Sequence, residues 1–334
     1  MATAVADALS SKSHLVVEAG TGVGKSFAYL VPLLAWAADT GATVAVATST
    51  IALQEQLVRK DLPLLAEALP FEVSFALVKG RANYLCLRRL GMAIEDAALL
   101  FDDDGPRAEL EQIRAWANVT EEGSRQDLPF RPSPGVWDLA RAEQGNCKGR
   151  SCGHYARCFY QRSRRLAHEA RCLVLNHHVL MSDLALRRSG ASFLPKVDAI
   201  VIDEAHDLED TAAEHLGQRF TSFGTSTVLG RLWHGGRRRG LLARPGAEPL
   251  QRDVQEARRV AKRFFGLLGA WAEQRASSGG LAPIADGFPL DDTLSPRLRD
   301  LAEGVGRLAR NADDLDASME LAARARQLDG MAES

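Results

Sequence analysis

Short apolar runs alternate with helical patterns at the start of the chain. Residues 14–18, 43–48 and 73–78 are continuous apolar runs, the pattern of buried parallel strands. Residues 24–38 and 51–69 between them repeat apolar positions at helical spacing. Strands that alternate with helices predict a doubly wound α/β domain built on a parallel sheet.

The alternation stops after the third of these runs and returns later. No strand pattern is visible in residues 81–165, whereas residues 172–177 and 198–206 again predict strands. The simplest interpretation is one α/β domain, formed by residues 1–80 and 166–210, that is interrupted by an insertion.

Residues 211–334 carry helical patterns only. Apolar positions three and four residues apart form two series: Val254, Ala257, Ala261, Phe264, Leu268 and Trp271, then Leu298, Leu301, Val305, Leu308, Ala312, Leu315, Met319 and Ala322. Ser295 and Pro296 favour a helix start before the second series. The series predict a long helical hairpin with facing apolar seams, and ordinary helical core is the alternative.

Composition narrows the class of protein. The 334 residues are 46% hydrophobic and 25% charged, as expected for roughly two globular domains. The net charge is −2, so any nucleic-acid surface must be a local patch. No apolar run reaches membrane-spanning length and no signal peptide is visible, which predicts a cytoplasmic protein with no membrane partner.

The segment EAGTGVGKS (18–26) has Walker A spacing, with Ala19 where glycine is commoner. Its glycines allow successive N–H groups to converge on a polyphosphate at a helix start. Lys25 is predicted to reach the β- and γ-phosphates of ATP and Ser26 to hold Mg²⁺. A glycine-rich turn without a ligand is the alternative. The predicted nucleotide-binding residues are Ala19, Gly20, Thr21, Gly22, Val23, Gly24, Lys25 and Ser26.

Two adjacent carboxylates end the apolar run in AIVIDEAH (199–206). Parallel sheets present their ligand crevice at this edge, so Asp203 is predicted to hold Mg²⁺. Glu204 is predicted to act as general base, beside Lys25 as the second catalytic residue. His206 is predicted to couple the γ-phosphate to DNA. A solvated acidic loop is the alternative when this motif is taken alone.

Four cysteines lie in the predicted insertion: Cys86, Cys147, Cys152 and Cys158. Four thiolates can hold either a [4Fe–4S] cluster or Zn²⁺. The last three have C-x4-C-x5-C spacing without the paired knuckles typical of zinc, which favours iron–sulfur and leaves zinc open. Cys172 lies in an apolar run and is predicted to be a core residue.

The segment from Arg141 to Arg171 holds eight Lys or Arg residues against two acids, with aromatic residues between them. Basic groups neutralise phosphates and aromatic rings stack on bases. The DNA-binding candidates in this segment are Arg162, Arg164 and Arg165. A solvated basic face is the alternative.

These motifs together resemble the DinG / XPD family of iron–sulfur DNA helicases. The matching segments are EAGTGVGKS, ATSTIALQEQL (47–57), VKGRANYLC (78–86), the CKGRSC…C run (147–158), LNHHVL (175–180) and DEAH, all within about residues 1–210. The resemblance implies a RecA-like motor domain with an iron–sulfur insertion at residues 81–165 and a helical arch-like region at 211–334.

The resemblance also implies ATP-driven 5′-to-3′ movement on single-stranded or forked DNA. It implies that the four cysteines bind a [4Fe–4S] cluster. It further implies that Thr48, Thr50 and Gln54 touch the DNA backbone, for which a helix cap is the alternative.

The sequence departs from this family at both ends. The upstream glutamine motif and the later motifs of a second motor domain are not seen. We therefore expect the ATP-binding half of a helicase, a fragment that is inactive alone. A truncated, non-motor nucleotide- and metal-binding module is the alternative.

Overall fold

The computed structural model describes residues 1–20, 22–97, 101, 104–188, 190–216, 219–236, 239–244, 246–276, 282, 284 and 287–333. The strands are β1 (Val44–Thr48), β2 (Phe75–Leu77), β3 (Cys172–Asn176) and β4 (Ala199–Ile202). The helices are α1 (Ala2–Ser11), α2 (Lys25–Thr40), α3 (Ile51–Gln56), α4 (Leu62–Ala68), α5 (Leu87–Glu95), α6 (Asp104–Ala117), α7 (Pro134–Ala140), α8 (Phe159–Glu169), α9 (His177–Arg188), α10 (Leu208–Leu216), α11 (Ser222–Leu232), α12 (Glu248–Arg275), α13 (Ser295–Arg310) and α14 (Leu315–Ala332).

The four strands form one parallel sheet in the order β2-β3-β1-β4. Val44 of β1 lies opposite Cys172 of β3 on one side and Ala199 of β4 on the other. Because all four strands run in one direction, their carboxyl ends meet at one edge of the sheet. This edge positions the candidate site.

Both faces of the sheet are buried at β1 and β3, as the continuous apolar runs predict, whereas Ile200 and Ile202 of β4 are 44% and 38% exposed. Alternate residues of β1 and β3 pack on one face with α2 and α4, including Val46 and Val174. The intervening residues, among them Ala47 and Leu175, pack on the other face with α8 and α9. The prediction of an α/β domain with a parallel sheet is confirmed.

Residues 14–18 do not form the predicted strand. They have no strand pairing, and the side chain of Val16 is 97% exposed. β4 pairs with β1 and is an edge of the described sheet. An apolar run suits a buried strand, but a strand forms only where another strand pairs with its main chain.

Residues 81–91 and 109–143 form helices and short turns that are tied back to the sheet region. The N–H of Leu85 donates to Gly123 O at 2.9 Å, and the N–H of Cys86 donates to Ala140 O at 2.8 Å. The buried Lys79 ammonium, just after β2, donates to Ser124 Oγ at 2.8 Å. These long-range bonds hold the segment without a regular sheet.

The helices α11 to α14 share a separate core that includes Leu229, Val254, Leu298 and Leu321. The second predicted apolar seam does not form one helix, because α13 ends at Arg310 and α14 starts at Leu315. The Asp314 carboxylate caps α14 by accepting from the N–H of Ala317 at 2.8 Å. The prediction of a two-helix hairpin is therefore wrong.

The described chain forms two compact units. The first comprises Met1–Gly91, Glu109–Glu143 and Lys148–Gly217; the second comprises Met92–Ala108, Gln144–Cys147 and Gln218–Ser334. Among the described residues, no helix combines the length and the apolar character that crossing a bilayer requires.

Candidate nucleotide-binding site

The glycine-rich loop lies exposed in front of α2. Gly22 and Gly24 have φ of 77° and 80°, and a Cβ at either position would meet no atom within 4 Å. Glycine is therefore required there by backbone conformation and not by lack of space. Ala19 is half-buried and Gly20 and Val23 are exposed, whereas Thr21 lies outside the described residues. The loop offers main-chain N–H groups to solvent at the positive end of a 16-residue helix.

Lys25 and Glu204 meet across the sheet edge. Lys25 Nζ lies 2.7 Å from Glu204 Oε1, and 179 residues of sequence separate the two. The hydrogen bond to Glu204 raises the pKa of Lys25, so the side chain is a charged ammonium at neutral pH. The structure thus brings the Walker A lysine and the DEAH glutamate together.

Asp203 directly follows β4, and its N–H donates to Ala47 O at 2.8 Å. Its carboxylate Oδ2 accepts a hydrogen bond from the Tyr29 hydroxyl at 3.3 Å. Tyr29 is 2% exposed, and burial followed by the Asp203 charge raises its pKa, so the phenol remains a donor. The Ser26 side chain opposes this rise in the pKa of Tyr29. Of the two predicted Mg²⁺ ligands, Asp203 thus contacts the buried tyrosine directly.

His206 lies at the surface next to Glu204. Its side chain is 72% exposed, with Nδ1 at 3.6 Å from Glu204 Oε2 and Nε2 at 3.5 Å from Asp207 Oδ1. The imidazole is thus open to a partner on the solvent side, beside the predicted general base.

Two residues of this site were missed by sequence reasoning. Tyr29 lies one helical turn after Lys25, and only this spacing points to it. His177 follows β3 and is fully buried, with Nε2 at 2.9 Å from Asp203 O. The LNHHVL segment places a histidine directly after a strand end, which is the one sequence feature that indicates His177.

The DNA-binding candidates after β1 are mostly inaccessible. Thr48 and Gln54 are 0% and 1% exposed. Thr50 is exposed, and its hydroxyl caps α3 by accepting from the N–H of Leu53 at 3.2 Å. In this structure the segment has the geometry of a helix cap.

The basic candidates on α8 are more accessible. Arg162 and Arg165 are exposed and Arg164 is half-buried. Arg164 and Arg165 line a cleft of about 430 Å³ together with Arg81 and Tyr160. The Arg81 guanidinium lies 4.3 Å from the centre of the Tyr160 ring. The cleft combines positive charge with an aromatic ring, as single-stranded nucleic-acid sites do.

The four candidate cysteine ligands differ in exposure. Cys147 is exposed, and Cys86, Cys152 and Cys158 are half-buried. Burial raises the pKa of the Cys86 thiol, and hydrogen bonds from the main chain of Arg89 and Arg88 oppose that rise. Within the described ranges, no three cysteine, histidine or carboxylate side chains are arranged to hold a metal ion. Cys172 is fully buried in the core, as predicted.

Two family profiles match the sequence. The DEAD/DEAH box helicase profile covers residues 2–99, and the DEAD_2 profile covers residues 135–223. These ranges contain the glycine-rich loop and the Asp203–Glu204 strand end.

Individual relatives agree with the profiles. The chain is 40% identical over 225 residues to the ATP-dependent DNA helicase YoaA of Haemophilus influenzae, a match of 66% of this chain and 34% of that protein. It is 39% identical over 244 residues to the ATP-dependent helicase DinG of Mycobacterium tuberculosis, a match of 66% of this chain and 35% of that protein. It is 33% identical over 232 residues to the 3′-5′ exonuclease DinG of Bacillus subtilis, a match of 68% of this chain and 24% of that protein.

The chain therefore carries DEAD/DEAH box helicase and DEAD_2 domains. Its N-terminal two thirds are homologous to the DinG and YoaA ATP-dependent helicases, which confirms the predicted resemblance. The chain spans about a third of the length of the helicases it matches, 34% for YoaA of Haemophilus influenzae.

Proposed function

We propose that this chain is the ATP-binding motor half of a DNA helicase that moves 5′ to 3′ on single-stranded or forked DNA. The contact between Lys25 and Glu204 at 2.7 Å carries the proposal. It brings the glycine-rich loop and the Asp203–Glu204 pair together, and this supports the arrangement that phosphoryl transfer from ATP requires. The helicase domain match and the homologous helicases support the same reaction.

Each residue at this edge has a role in the proposed reaction. The loop N–H groups bind the phosphates, and Lys25 leaves Glu204 to contact the β- and γ-phosphates. Ser26 and Asp203 would hold Mg²⁺, since oxygen ligands suit this ion and Tyr29 orients the Asp203 carboxylate. A magnesium ion bound there would supply neutralisation of the phosphate charge. The freed Glu204 carboxylate would accept the proton of the water that attacks the γ-phosphorus, while the bond from that phosphorus to ADP breaks and ADP leaves.

The proposed DNA contacts lie on the α8 surface. Arg164 and Arg165 would bind phosphates along the cleft. We assign the motor domain to residues 1–80 and 166–210, the insertion to 81–165 and the arch-like region to 211–334.

We also propose that Cys86, Cys147, Cys152 and Cys158 hold a [4Fe–4S] cluster. The donor chemistry fits, because four thiols are available and Cys152 and Cys158 each close a tight turn, with N–H bonds of 3.2 Å to Gly149 O and Tyr155 O. The described side chains are not arranged as a ready metal site, so ligation requires them to rearrange. Metal binding would also favour the thiolate of Cys86 against the effect of burial.

Nucleotide binding by the chain itself tests the motor proposal. A fluorescent ATP analogue is titrated with Mg²⁺ against wild type, Lys25→Ala and the control Lys196→Ala, whose side chain is 87% exposed. Loss of the charged phosphate contact weakens binding roughly tenfold or more in Lys25→Ala and leaves the control unchanged. Equal affinity of wild type and Lys25→Ala would contradict the proposal.

Anaerobic purification tests the cluster. Wild type is expected to be brown and to contain iron and acid-labile sulfide. Cys158→Ser is expected to lose both, whereas Cys172→Ala, a change at a core cysteine, keeps them. A colourless protein that contains zinc would contradict iron–sulfur binding and favour the zinc alternative.

A further inference from the structure

The imidazole of His177 makes a polar contact that fixes its tautomer. Its Nε2 lies 2.9 Å from the main-chain oxygen of Asp203. A carbonyl oxygen only accepts hydrogen bonds, so Nε2 carries the proton and donates. Nδ1 is buried, and among the described residues it has no hydrogen-bond partner. The ring is therefore held by a single bond, and that bond goes to the strand end of the candidate site.

His177 contacts the main-chain oxygen of Asp203, and the next residue, Glu204, has a strained backbone conformation. Glu204 has φ of 52° and ψ of 49°, the left-handed region that is unfavourable for a residue with a Cβ. Such a conformation persists only when its surroundings hold it. The Asp203 N–H is held by Ala47 and the Asp203 oxygen by His177. These two hydrogen bonds thus fix the main chain of Asp203, the residue immediately before the strained Glu204.

The fold explains how His177 reaches this peptide. β1 lies between β3 and β4, so a side chain directly after β3 must cross the end of β1 to contact Asp203. Asn176 caps α9 through a bond from the Val179 N–H to its Oδ1 at 2.9 Å, which fixes the helix start that carries His177. Tyr29 approaches the same residue from α2 and donates to its carboxylate. Asp203 is therefore held at its main chain and at its side chain by two different elements.

We propose that His177 is a positioning residue for the Asp203 magnesium ligand, with Tyr29 as its counterpart on the carboxylate. His177 fixes the Asp203 peptide so that the carboxylate and Glu204 point to the phosphate loop. This inference rests on the proposed function, because it assigns His177 to the Mg²⁺-dependent part of nucleotide binding. Phosphate binding by the glycine-rich loop and Lys25 does not depend on it.

The test measures the affinity for a fluorescent ATP analogue twice, with Mg²⁺ and with EDTA. The ratio of the two affinities isolates the metal-dependent part of binding. His177→Phe keeps a buried ring without the donor, and His177→Gln restores an N–H near Nε2. His178→Phe is the matched control, since His178 is the next residue and half-exposed and contacts His215 instead.

His177→Phe is expected to lower the ratio roughly three- to tenfold, the effect of one lost hydrogen bond, with the affinity in EDTA unchanged. His177→Gln is expected to restore most of the ratio and His178→Phe to leave it unaltered. A merely structural role for His177 would lower both affinities together, and that result would overturn the inference. An unchanged ratio in His177→Phe, or no rescue by His177→Gln, would also overturn it.

Two further outcomes separate this inference from the proposed function. Wild type that binds no nucleotide overturns both, whereas wild type that binds without Mg²⁺ dependence overturns the Asp203 role and with it the role of His177. If circular dichroism shows that His177→Phe does not fold, the affinity ratios of Tyr29→Phe and His177→Gln test the inference instead. Tyr29→Phe removes one hydroxyl and is expected to lower the ratio as well, and an unchanged ratio there would contradict the inference.

Discussion

Asp183 is a buried carboxylate on α9, the helix that begins with His177. It accepts hydrogen bonds from Arg187 Nε at 2.6 Å, Ser192 Oγ at 2.9 Å and the N–H groups of Phe193 and Leu194 at 2.8 and 3.0 Å. Burial alone would raise the pKa of Asp183, but these hydrogen bonds outweigh burial and the pKa is lowered. The charged form therefore ties the loop after α9 to the helix.

Replacing Asp183 with Asn should lower the free energy of unfolding by about 1.5–3 kcal/mol at neutral pH, because hydrogen bonds to a charge are lost. Urea denaturation measures this change, with the exposed Asp39→Asn as control. Because the folded pKa is lowered, the stabilisation is full above the ordinary value of 3.8 and is lost as the pH falls through the lowered pKa. The difference between wild type and variant should narrow on acidification, and a constant difference would contradict this account.

Sequence reasoning predicts some contacts of the site and misses others. Lys25 and Glu204 each follow an apolar run, and parallel strands would bring such ends to one edge, which is why the sequence predicts their meeting. Glu204 follows β4 as expected, but residues 14–18 form no strand, so strand ends alone do not explain how Lys25 reaches Glu204. The contacts of His177 and Tyr29 with Asp203 were not predictable, because each depends on a single side-chain direction across the sheet. Such directions follow from packing and not from residue pattern.

At the scale of elements, the parallel strands were the easiest to predict. β1, β3 and β4 lie within the apolar runs that indicated them. The π-helical turn at Leu57–Asp61, between α3 and α4, has no sequence feature that distinguishes it from ordinary helix. The apolar repeat across Ala312 continued at helical spacing, yet Asp314 starts a new helix by capping it. The cap at Asp314 thus starts a new helix where the apolar spacing alone predicts a continuous one.

The apolar pattern of residues 14–18 predicts a buried strand, whereas the structure has no strand there. A substitution at Val16 distinguishes the two. Val16→Lys should change the free energy of unfolding by less than about 0.5 kcal/mol, because the side chain is 97% exposed. The control Val46→Ala, at a fully buried position of β1, should cost roughly 1.5–3 kcal/mol. A cost for Val16→Lys as large as that of the control would place this segment in the sheet.

At the scale of the whole molecule, most of the predicted insertion packs with the sheet. Glu109–Glu143 belong to the same compact unit as Met1–Gly91. The bond from Lys79 Nζ to Ser124 Oγ is one of the contacts responsible. The sequence shows where the strand pattern stops, but isolated long-range bonds of this kind have no sequence pattern. The division of the chain into motor domain, insertion and arch-like region therefore remains a proposal.

With a net charge of −2, the proposed DNA binding must come from a local basic surface, and the salt dependence of binding tests whether the cleft on α8 is that surface. Replacing both Arg164 and Arg165 with Ala should weaken binding of an oligothymidine strand. For single strands, each lost phosphate contact makes the negative slope of log K against log salt shallower by about 0.7. The exposed Arg188→Ala, in the same compact unit, is the control for general loss of charge. If the double variant weakened binding no more than this control, the cleft on α8 would not be the DNA surface, because a specific phosphate contact must change the slope more than a distant charge does.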